Sequence, residues 1–391
     1  MKSATETAAS DHEWKTTARV AAVVIVAKAF LFLTIFLSLE LLPVIFNGDN
    51  YLEKFHWPAN ETPNHSWLFK TWDSAHFLYL SEEGYADAEA SAAFYPLWPI
   101  VIGFATPVFG SSLLSALILA NLFSTVGLVL LHRLVARFSD ERIADTTLLL
   151  ALAYPGALYY CLPYSESLFL MITVGVFILV SRNRLGAAAG LAILAPAARA
   201  VGIFLVIPLG WWLFSDARKG RRPWWHCMLA LAPILGLALT MGFIWTQTGN
   251  AFASFEAQAN YASEGTISKI FAPMAFVRSF FDVWGVHGVL HSGIDRLLFV
   301  VMVAGLIPLF RREGGIGPLS LYSTVMIVFP AVTMSMMSFT RYPTMAFPVF
   351  FSLALVLADD RRKELRWFVI SLFLILQFFF LIRHINAHWA G

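Results

Sequence analysis

The residues best suited to chemistry lie in one polar and aromatic segment, from Trp67 to Pro99. Asp73 is the one acid in the first part of this segment, and if that part is helical, Lys70, Asp73 and His76 fall three apart on one face. A carboxylate with two such neighbours can act as a general base that takes a proton from a hydroxyl. An interfacial anchor helix with a capping aspartate predicts the same spacing. The spacing alone leaves both interpretations open.

Two arginines, Arg199 and Arg341, are candidates for holding a phosphate, because guanidinium groups stay charged and present several donors. Each could instead form a structural ion pair, for instance with Glu166. Glu166 and Tyr164 lie at the tip of a predicted tight hairpin. They could hydrogen-bond a sugar or an acceptor, although such a hairpin could simply need a polar tip.

The composition predicts that lipid is the main solvent of the elements that position these residues. Of the 391 residues, 58% are hydrophobic and 13% are charged, and the mean hydropathy is +0.69. A soluble core does not need so much apolar surface. The net charge of +2 gives no reason to propose nucleic acid as a partner. We therefore expect an integral, multi-pass membrane protein that is all-α.

About eleven apolar stretches are long enough to be predicted as transmembrane helices. The segment Phe94 to Gly110 contains three prolines and reads better as a re-entrant or interfacial element than as a span. The predicted spans are 19–46, 112–131, 144–162, 165–181, 185–198, 199–214, 224–246, 292–310, 317–338, 343–358 and 367–383.

The basic residues set the predicted orientation. Lys and Arg cluster in five connections, 133–142, 182–184, 218–222, 311–312 and 361–366, which should be cytoplasmic under the positive-inside rule. Residues 1–18 then form a cytoplasmic N-terminal tail, and residues 19–391 form one transmembrane domain. Two long outer loops follow, at 47–111 and 247–291. Asp73, Arg199 and Arg341 are all predicted on this outer side, where a charge at membrane depth is a functional candidate.

Four short motifs resemble those of the PIG-V family of mannosyltransferases. WDSAHFLYLSEEGY, followed by AFYPLWP, resembles the family's opening motif, and Leu152 to Leu170 resembles its proline, tyrosine and Ser-Glu hairpin. Ala197 to Gly202 resembles its arginine-containing turn, and Ser338 to Pro348 resembles its C-terminal Arg-Tyr element. The matches come in the expected order along the chain.

The resemblance implies a GT-C membrane fold with interfacial helices in the first outer loop, and a glycosyltransferase that inverts the anomeric carbon. The donor would be polyprenyl-phosphate mannose, the acceptor a lipid or glycolipid, and the active site would face the periplasm or lumen. Asp73 would be the catalytic base with His76 beside it. The donor phosphate would contact Arg199, Arg341 and Lys70, and the substrates would contact Tyr164, Glu166 and Tyr342.

The first outer loop has no Asp-x-Asp pair, and a donor of this kind carries one phosphate, so we expect no metal or other cofactor. A transporter or flippase of a lipid-linked sugar would share the spans and the intramembrane charges. A GT-C enzyme that uses another carrier-linked sugar is also open. A bacterial plasma membrane is the favoured location, or the endoplasmic reticulum membrane in a eukaryote.

Overall fold

The protein is built from helices that are joined by short turns. A computed structural model describes residues 4–41, 51–59, 61, 64–261, 267–284, 289–334, 336–388 and 390. Across these ranges there is no β-strand, and one antiparallel bridge joins His56 to Thr71. The prediction of an all-α protein is confirmed. The predicted first span and both predicted outer loops extend in part beyond the described residues.

Sixteen α-helices, numbered here in chain order, lie within the described ranges, together with nine short 3-10 helices. The first eight are α1 (Ala4–Leu41), α2 (Asp73–Glu82), α3 (Leu97–Phe109), α4 (Ser112–Phe138), α5 (Glu141–Ala153), α6 (Glu166–Ser181), α7 (Leu185–Ala198) and α8 (Val206–Arg218). The others are α9 (Ala232–Thr248), α10 (Ala253–Glu256), α11 (Pro273–Phe281), α12 (Val289–Ala304), α13 (Ile307–Glu313), α14 (Pro318–Thr333), α15 (Pro348–Leu357) and α16 (Lys363–Ile385).

Six helical segments in the described part of the chain are long and apolar enough to cross a membrane, so this is a multi-pass membrane protein. Five further apolar helices have 10 to 17 residues. At a rise of about 1.5 Å per residue, the shorter of these do not cover a hydrocarbon core of about 30 Å. The predicted count of about eleven spans is therefore not confirmed. The six long segments are Glu13–Leu41, Ser112–Phe138, Ala200–Arg218, Trp224–Thr248, Val289–Glu313 and Asp360–Ile385.

Proline explains why the predicted span 144–162 is not one helix. Helix α5 ends at Ala153, and Pro155 begins a 3-10 helix that runs to Tyr160. Proline has no N–H to continue an α-helix and pushes the preceding residue out of the helical conformation, and Tyr154 accordingly has ψ 138°. The predicted non-crossing segment 94–110 contains α3, a helix of 13 residues.

Small residues allow the helices of the bundle centre to approach closely. Helix α7 is mostly Ala and Gly, and its Ala192 lies in the main buried apolar cluster with Leu128 of α4, Phe177 of α6 and Val349 of α15. Lipid tails are as apolar as the surfaces of the helices, so the hydrophobic effect does not drive membrane helices together. Their association depends on such close packing instead. The centre of the bundle is therefore fixed by shape, and it supports the helix ends that carry the polar residues.

Gly236 of α9 shows how tight this packing is, because a Cβ added there would lie 2.1 Å from the carbonyl oxygen of Ile193 in α7. We expect Gly236→Ala to destabilise the protein by about 1 to 3 kcal/mol, since the two backbones must separate. Gly242→Ala, on the same helix, meets no atom within 4 Å and should be neutral or slightly stabilising. Unfolding midpoints in detergent measure the difference. Equal midpoints would show that α7 and α9 do not pack as described.

Candidate active site

Asp73 is the first residue of α2, and a strained turn places it there. Trp72 precedes it with φ 57° and ψ −141°, a conformation that a residue with a side chain adopts at a cost of about 1 to 3 kcal/mol. The N-terminus of a helix carries partial positive charge and stabilises a carboxylate. The bend at Trp72 also takes Lys70 off the helix, so the prediction that Lys70 shares a helical face with Asp73 and His76 is wrong.

Glu166 is the first residue of α6 and is fully buried. The turn before it, Pro155–Tyr160, packs against the turn that carries Arg341, and Gly156 allows the contact: a Cβ there would lie 2.5 Å from the Thr340 carbonyl oxygen. The Tyr160 hydroxyl then donates a hydrogen bond of 2.5 Å to the Thr344 carbonyl. Two of the predicted motifs therefore meet through their backbones.

Arg341 lies in the 3-10 helix Phe339–Thr344, and a buried acid that sequence reasoning missed holds this helix in place. Asp295 of α12 accepts hydrogen bonds from the backbone N–H and the hydroxyl of Thr340, both at 2.7 Å. The turn begins at Ser338, which has φ 61°. The signal that could have revealed Asp295 is a lone acid in an apolar stretch, since such a charge is expensive unless it is used.

Four charged side chains from different elements form a continuous chain, called here the charge chain. Arg341 donates from Nη1 to Oδ2 of Asp73 at 2.5 Å, and from Nε to Oε1 of Glu166. Arg199, at the C-terminal end of α7, donates from Nη1 to the same Glu166 oxygen at 2.7 Å and to the Ser165 hydroxyl at 3.0 Å. The predicted alternative, that both arginines pair with Glu166, is the geometry observed.

The charge chain is layered by depth. The side chains of Asp73 and Arg199 are 21% and 18% exposed, whereas those of Arg341 and Glu166 are 7% and 0% exposed. The Arg341 guanidinium lies 4.7 Å from the ring of Tyr164 and 5.1 Å from that of Tyr159, within the range of cation–π attraction. A molecule that approaches the site therefore meets Asp73 and Arg199 first, with Arg341 behind them.

Two atoms in the buried layer have no hydrogen-bond partner among the described residues. They are Nη2 of Arg341 and Oε2 of Glu166. Buried polar atoms are almost always hydrogen-bonded, and a charged group left without a partner costs about 1 to 3 kcal/mol or more. The buried layer of the charge chain therefore retains one unused donor and one unused acceptor.

His76 lies on α2 three residues after Asp73, and its ring is held on all sides. It stacks between Phe55 and Phe94, at 4.3 and 4.7 Å between ring centroids. The Tyr261 hydroxyl donates to the Ala90 carbonyl, so Nε2–H of His76 donates to Tyr261 at 3.3 Å, and Nδ1 accepts from Ser91 at 2.8 Å. His76 thus ties the first predicted outer loop to the second.

The other predicted site residues are placed differently. Lys70 donates from Nζ to both carboxylate oxygens of Glu61, at 2.6 and 2.7 Å, so its charge is already matched. Tyr164 offers its ring to Arg341, as described above. Tyr342 is buried in the main apolar cluster. The structure therefore brings together five of the predicted site residues, Asp73, Glu166, Arg199, Arg341 and Tyr164. Lys70 and Tyr342 are not members of this group: Lys70 is paired with Glu61, and Tyr342 packs in the apolar cluster.

Glu166 is the centre of the charge chain, so its charge should matter for stability. We expect Glu166→Gln to lower the free energy of unfolding by about 3 to 5 kcal/mol, because it leaves the buried Arg341 and the partly buried Arg199 with one carboxylate. Glu61→Gln, which removes the charge from the more exposed pair with Lys70, should cost less than about 1 kcal/mol. Unfolding midpoints of the two variants in detergent make the comparison. Similar losses would mean that the charge chain is not buried as described.

His76 should make stability depend on pH. Burial lowers the pKa of His76 to about 4, which the nearby Asp73 carboxylate only partly offsets, against an ordinary value of 6.5. The unfolded chain therefore binds a proton first as the pH falls, and stability is lost between about pH 6.5 and pH 4. Between pH 7 and pH 5 the loss from His76 is about 2 kcal/mol.

His76→Phe keeps a ring between Phe55 and Phe94 but cannot titrate, so it isolates this contribution. As the pH is lowered from 7.5 to 4.5, the unfolding midpoint should fall less steeply for His76→Phe than for the unsubstituted protein. Parallel curves would show that His76 is not buried in its neutral form.

Among solved structures, the chain resembles the oligosaccharyltransferase of Archaeoglobus fulgidus in part. The crystal structure with Zn and sulfate matches with a TM-score of 0.44 and 15% identity, over 76% of this chain and 45% of that chain. The apo form matches with a TM-score of 0.45 and 14% identity, over 76% and 48%. Scores at this level do not establish a shared fold.

Two curated proteins share sequence with this chain, and both are named GPI alpha-1,6-mannosyltransferase 2. The Rattus norvegicus protein is 30% identical over 181 residues, which is 44% of this chain and 35% of that protein. The Mus musculus protein is 33% identical over 158 residues, which is 38% and 31%. The chain thus spans about a third of the length of the relatives it matches.

Residues 58–218 match the family model described as Mannosyltransferase (PIG-V). This segment contains Asp73, Glu166 and Arg199, and only Arg341 of the charge chain lies beyond it. The resemblance predicted from the motifs is confirmed over residues 58–218, and this segment is similar to the PIG-V mannosyltransferases.

Proposed function

We propose that this protein is an inverting glycosyltransferase that moves mannose from polyprenyl-phosphate mannose to a hydroxyl of a lipid or glycolipid. One observation carries the proposal. A partly exposed carboxylate, Asp73, lies 2.5 Å from a buried guanidinium that still has an unused donor, next to a carboxylate that has an unused acceptor. A base, an anion-binding group and a sugar-hydroxyl acceptor are thus adjacent. The family match and the named relatives support the mannosyl group.

Asp73 acts as the base. Its Oδ2 is fixed by Arg341, whereas Oδ1 accepts no hydrogen bond from the described part of the chain. Oδ1 can therefore take the proton of the acceptor hydroxyl as the hydroxyl oxygen attacks the anomeric carbon. The new C–O bond forms on the face opposite the departing phosphate, and the electron pair of the broken bond goes to a phosphate oxygen. Positioned bases of this kind contribute about 10²- to 10⁴-fold in rate.

The two arginines hold the phosphate. Arg199, which is more exposed, meets the phosphate at the mouth of the site, and Arg341 lies deeper. Their guanidinium groups stabilise the negative charge that develops on the leaving group, so no strong general acid is needed. The aromatic rings of Tyr159 and Tyr164 around Arg341 exclude water, and electrostatic attraction is stronger where water is excluded.

Glu166 and Tyr164 bind the sugar in this proposal. Oε2 of Glu166 is a buried acceptor without a partner, which suits a mannose hydroxyl. Lys70 stays at the margin because Glu61 already neutralises it. The reaction as written needs no metal, and metal independence stays a prediction.

The membrane setting of the proposal follows the predicted topology. The fold is of the GT-C class, the active site faces the outer side, and the polyprenyl tail lies among the apolar helices. The site residues lie between predicted spans on the side opposite the five basic connections, which supports the outer side. A bacterial plasma membrane is the favoured location. Multi-pass insertion itself rests on the six long apolar segments.

Transfer of radiolabelled mannose from polyprenyl-phosphate mannose into a membrane lipid extract tests the proposal. The unsubstituted protein should give labelled lipid, and Asp73→Asn should reduce the rate by about 10²- to 10⁴-fold because no carboxylate is left to take the proton. Asp87→Asn, at an exposed acid in the same predicted loop, is the matched control and should retain the activity.

Equal labelling by Asp73→Asn and the unsubstituted protein would remove Asp73 from the mechanism. The absence of labelled lipid with the unsubstituted protein would overturn the assignment of the donor. The identity of the labelled lipid names the acceptor.

A further inference from the structure

The charge chain has no net charge, although the proposed donor brings a negative charge to it. Asp73 and Glu166 supply two negative charges, and Arg199 and Arg341 supply two positive charges. Glu166 contacts both arginines, and Arg341 contacts both carboxylates. In this state every cation is already neutralised.

Adding a phosphate anion to a neutral, buried cluster is unfavourable, because the ion loses its water and finds no spare positive charge. The neighbouring groups considered next add no net positive charge that would favour an anion. Asp295 is a further carboxylate, and it is bonded to Thr340, the residue before Arg341. Lys70 is neutralised by Glu61. His76 has its ring nitrogens engaged with Ser91 and Tyr261. The unused Nη2 of Arg341 offers a hydrogen bond without extra charge.

One change in the proposed reaction creates the missing positive charge. When Asp73 takes the acceptor proton, its carboxylate becomes neutral and its ion pair with Arg341 is lost. The same event breaks the bond from the anomeric carbon to the phosphate oxygen, so the phosphate gains negative charge as Arg341 is released. The proton moves from the acceptor to Asp73, and the electron pair moves to the phosphate, so the step balances.

We propose that Asp73 controls the affinity of Arg341 for phosphate, in addition to acting as the base. The ionised carboxylate occupies Nη1 of Arg341 and keeps phosphate affinity low, and protonation of the carboxylate transfers Nη1 to the leaving phosphate. This inference rests on the proposed function. It explains why the base and the phosphate-binding arginine are in direct contact at 2.5 Å, although they come from elements 268 positions apart in the sequence.

Binding of a polyprenyl phosphate that carries no sugar tests the inference. Asp73→Asn is neutral, as protonated Asp73 is, and has nearly the same shape. The purified protein with Asp73→Asn should therefore bind farnesyl phosphate in detergent at least about tenfold more tightly than the unsubstituted protein, a difference of about 1.4 kcal/mol. The variant should thus be about 10²- to 10⁴-fold slower in transfer and yet bind the product-like lipid better. Titration calorimetry or thermophoresis at fixed pH and salt measures the Kd.

Two further variants identify Arg341 as the group that gains affinity. Arg341→Gln should weaken binding, and in the double variant with Asp73→Asn most of the tenfold gain should disappear, because the released cation is no longer there. Asp87→Asn should bind as the unsubstituted protein does. If Asp73→Asn does not purify as a monodisperse protein, Asp73→Ser, which is also neutral, takes its place.

The outcomes separate the inference from the function on which it rests. If the unsubstituted protein transfers mannose but the neutral variants bind farnesyl phosphate equally or more weakly, the coupling between Asp73 and Arg341 is overturned and the function stands. If the unsubstituted protein does not transfer mannose, and neither it nor any variant binds farnesyl phosphate, the proposed function is overturned, and the inference with it.

Discussion

The fully buried carboxylate of Glu166 is the group on which the site depends. It accepts hydrogen bonds from Arg199 at 2.7 Å and from Arg341, and it stands at the N-terminus of α6, where the helix dipole favours a negative charge. A buried carboxylate is stable only when its charge is matched. The two arginines must therefore come to this point, and Arg341 in turn fixes Asp73. The position of the candidate base is thus a consequence of a charge balance inside the protein.

The same balance explains where the chain leaves regular helical structure. Asp73, Glu166, Arg199 and Arg341 all lie at a helix end or in a 3-10 turn, and Trp72 and Ser338 hold strained backbone conformations just before two of them. If the helices continued without interruption, these residues would be spread along the helix axes and their side chains would not meet at one point. Interrupted helices let short polar turns from distant parts of the chain converge, while the long apolar segments keep their backbone bonds satisfied. The strain is offset by the contacts that the turns make.

The sequence was sufficient to find the members of the charge chain and to offer the pairing of the arginines with Glu166 as one alternative, but not the contact of Arg341 with Asp73. Its motifs and the expense of a charge at membrane depth pointed to Asp73, Glu166, Arg199 and Arg341 one by one. The helical spacing of Lys70 failed because a helix cannot continue through the backbone conformation of Trp72, and residue type alone does not reveal that conformation. Two other contacts depend on long-range packing that no local pattern encodes: the bonds of Asp295 to the turn of Arg341 and the link of His76 to Tyr261. The break at Pro155, by contrast, has a local cause in the proline itself, which an apolar run that looked continuous concealed.

The layered exposure of the charge chain bears on how a reaction could be ordered at this site. The side chains of Asp73 and Arg199 are partly exposed, whereas Arg341 is enclosed by the rings of Tyr159 and Tyr164. An enclosed guanidinium interacts strongly with a charge beside it, because little water screens the attraction. The same enclosure makes any unmatched charge expensive, so in the proposed reaction Arg341 is best neutralised at every stage, first by carboxylates and then by phosphate. A direct contact between the base and this arginine is the simplest arrangement that keeps the buried charge matched while, in the proposed reaction, the acceptor oxygen loses its proton and gains the sugar.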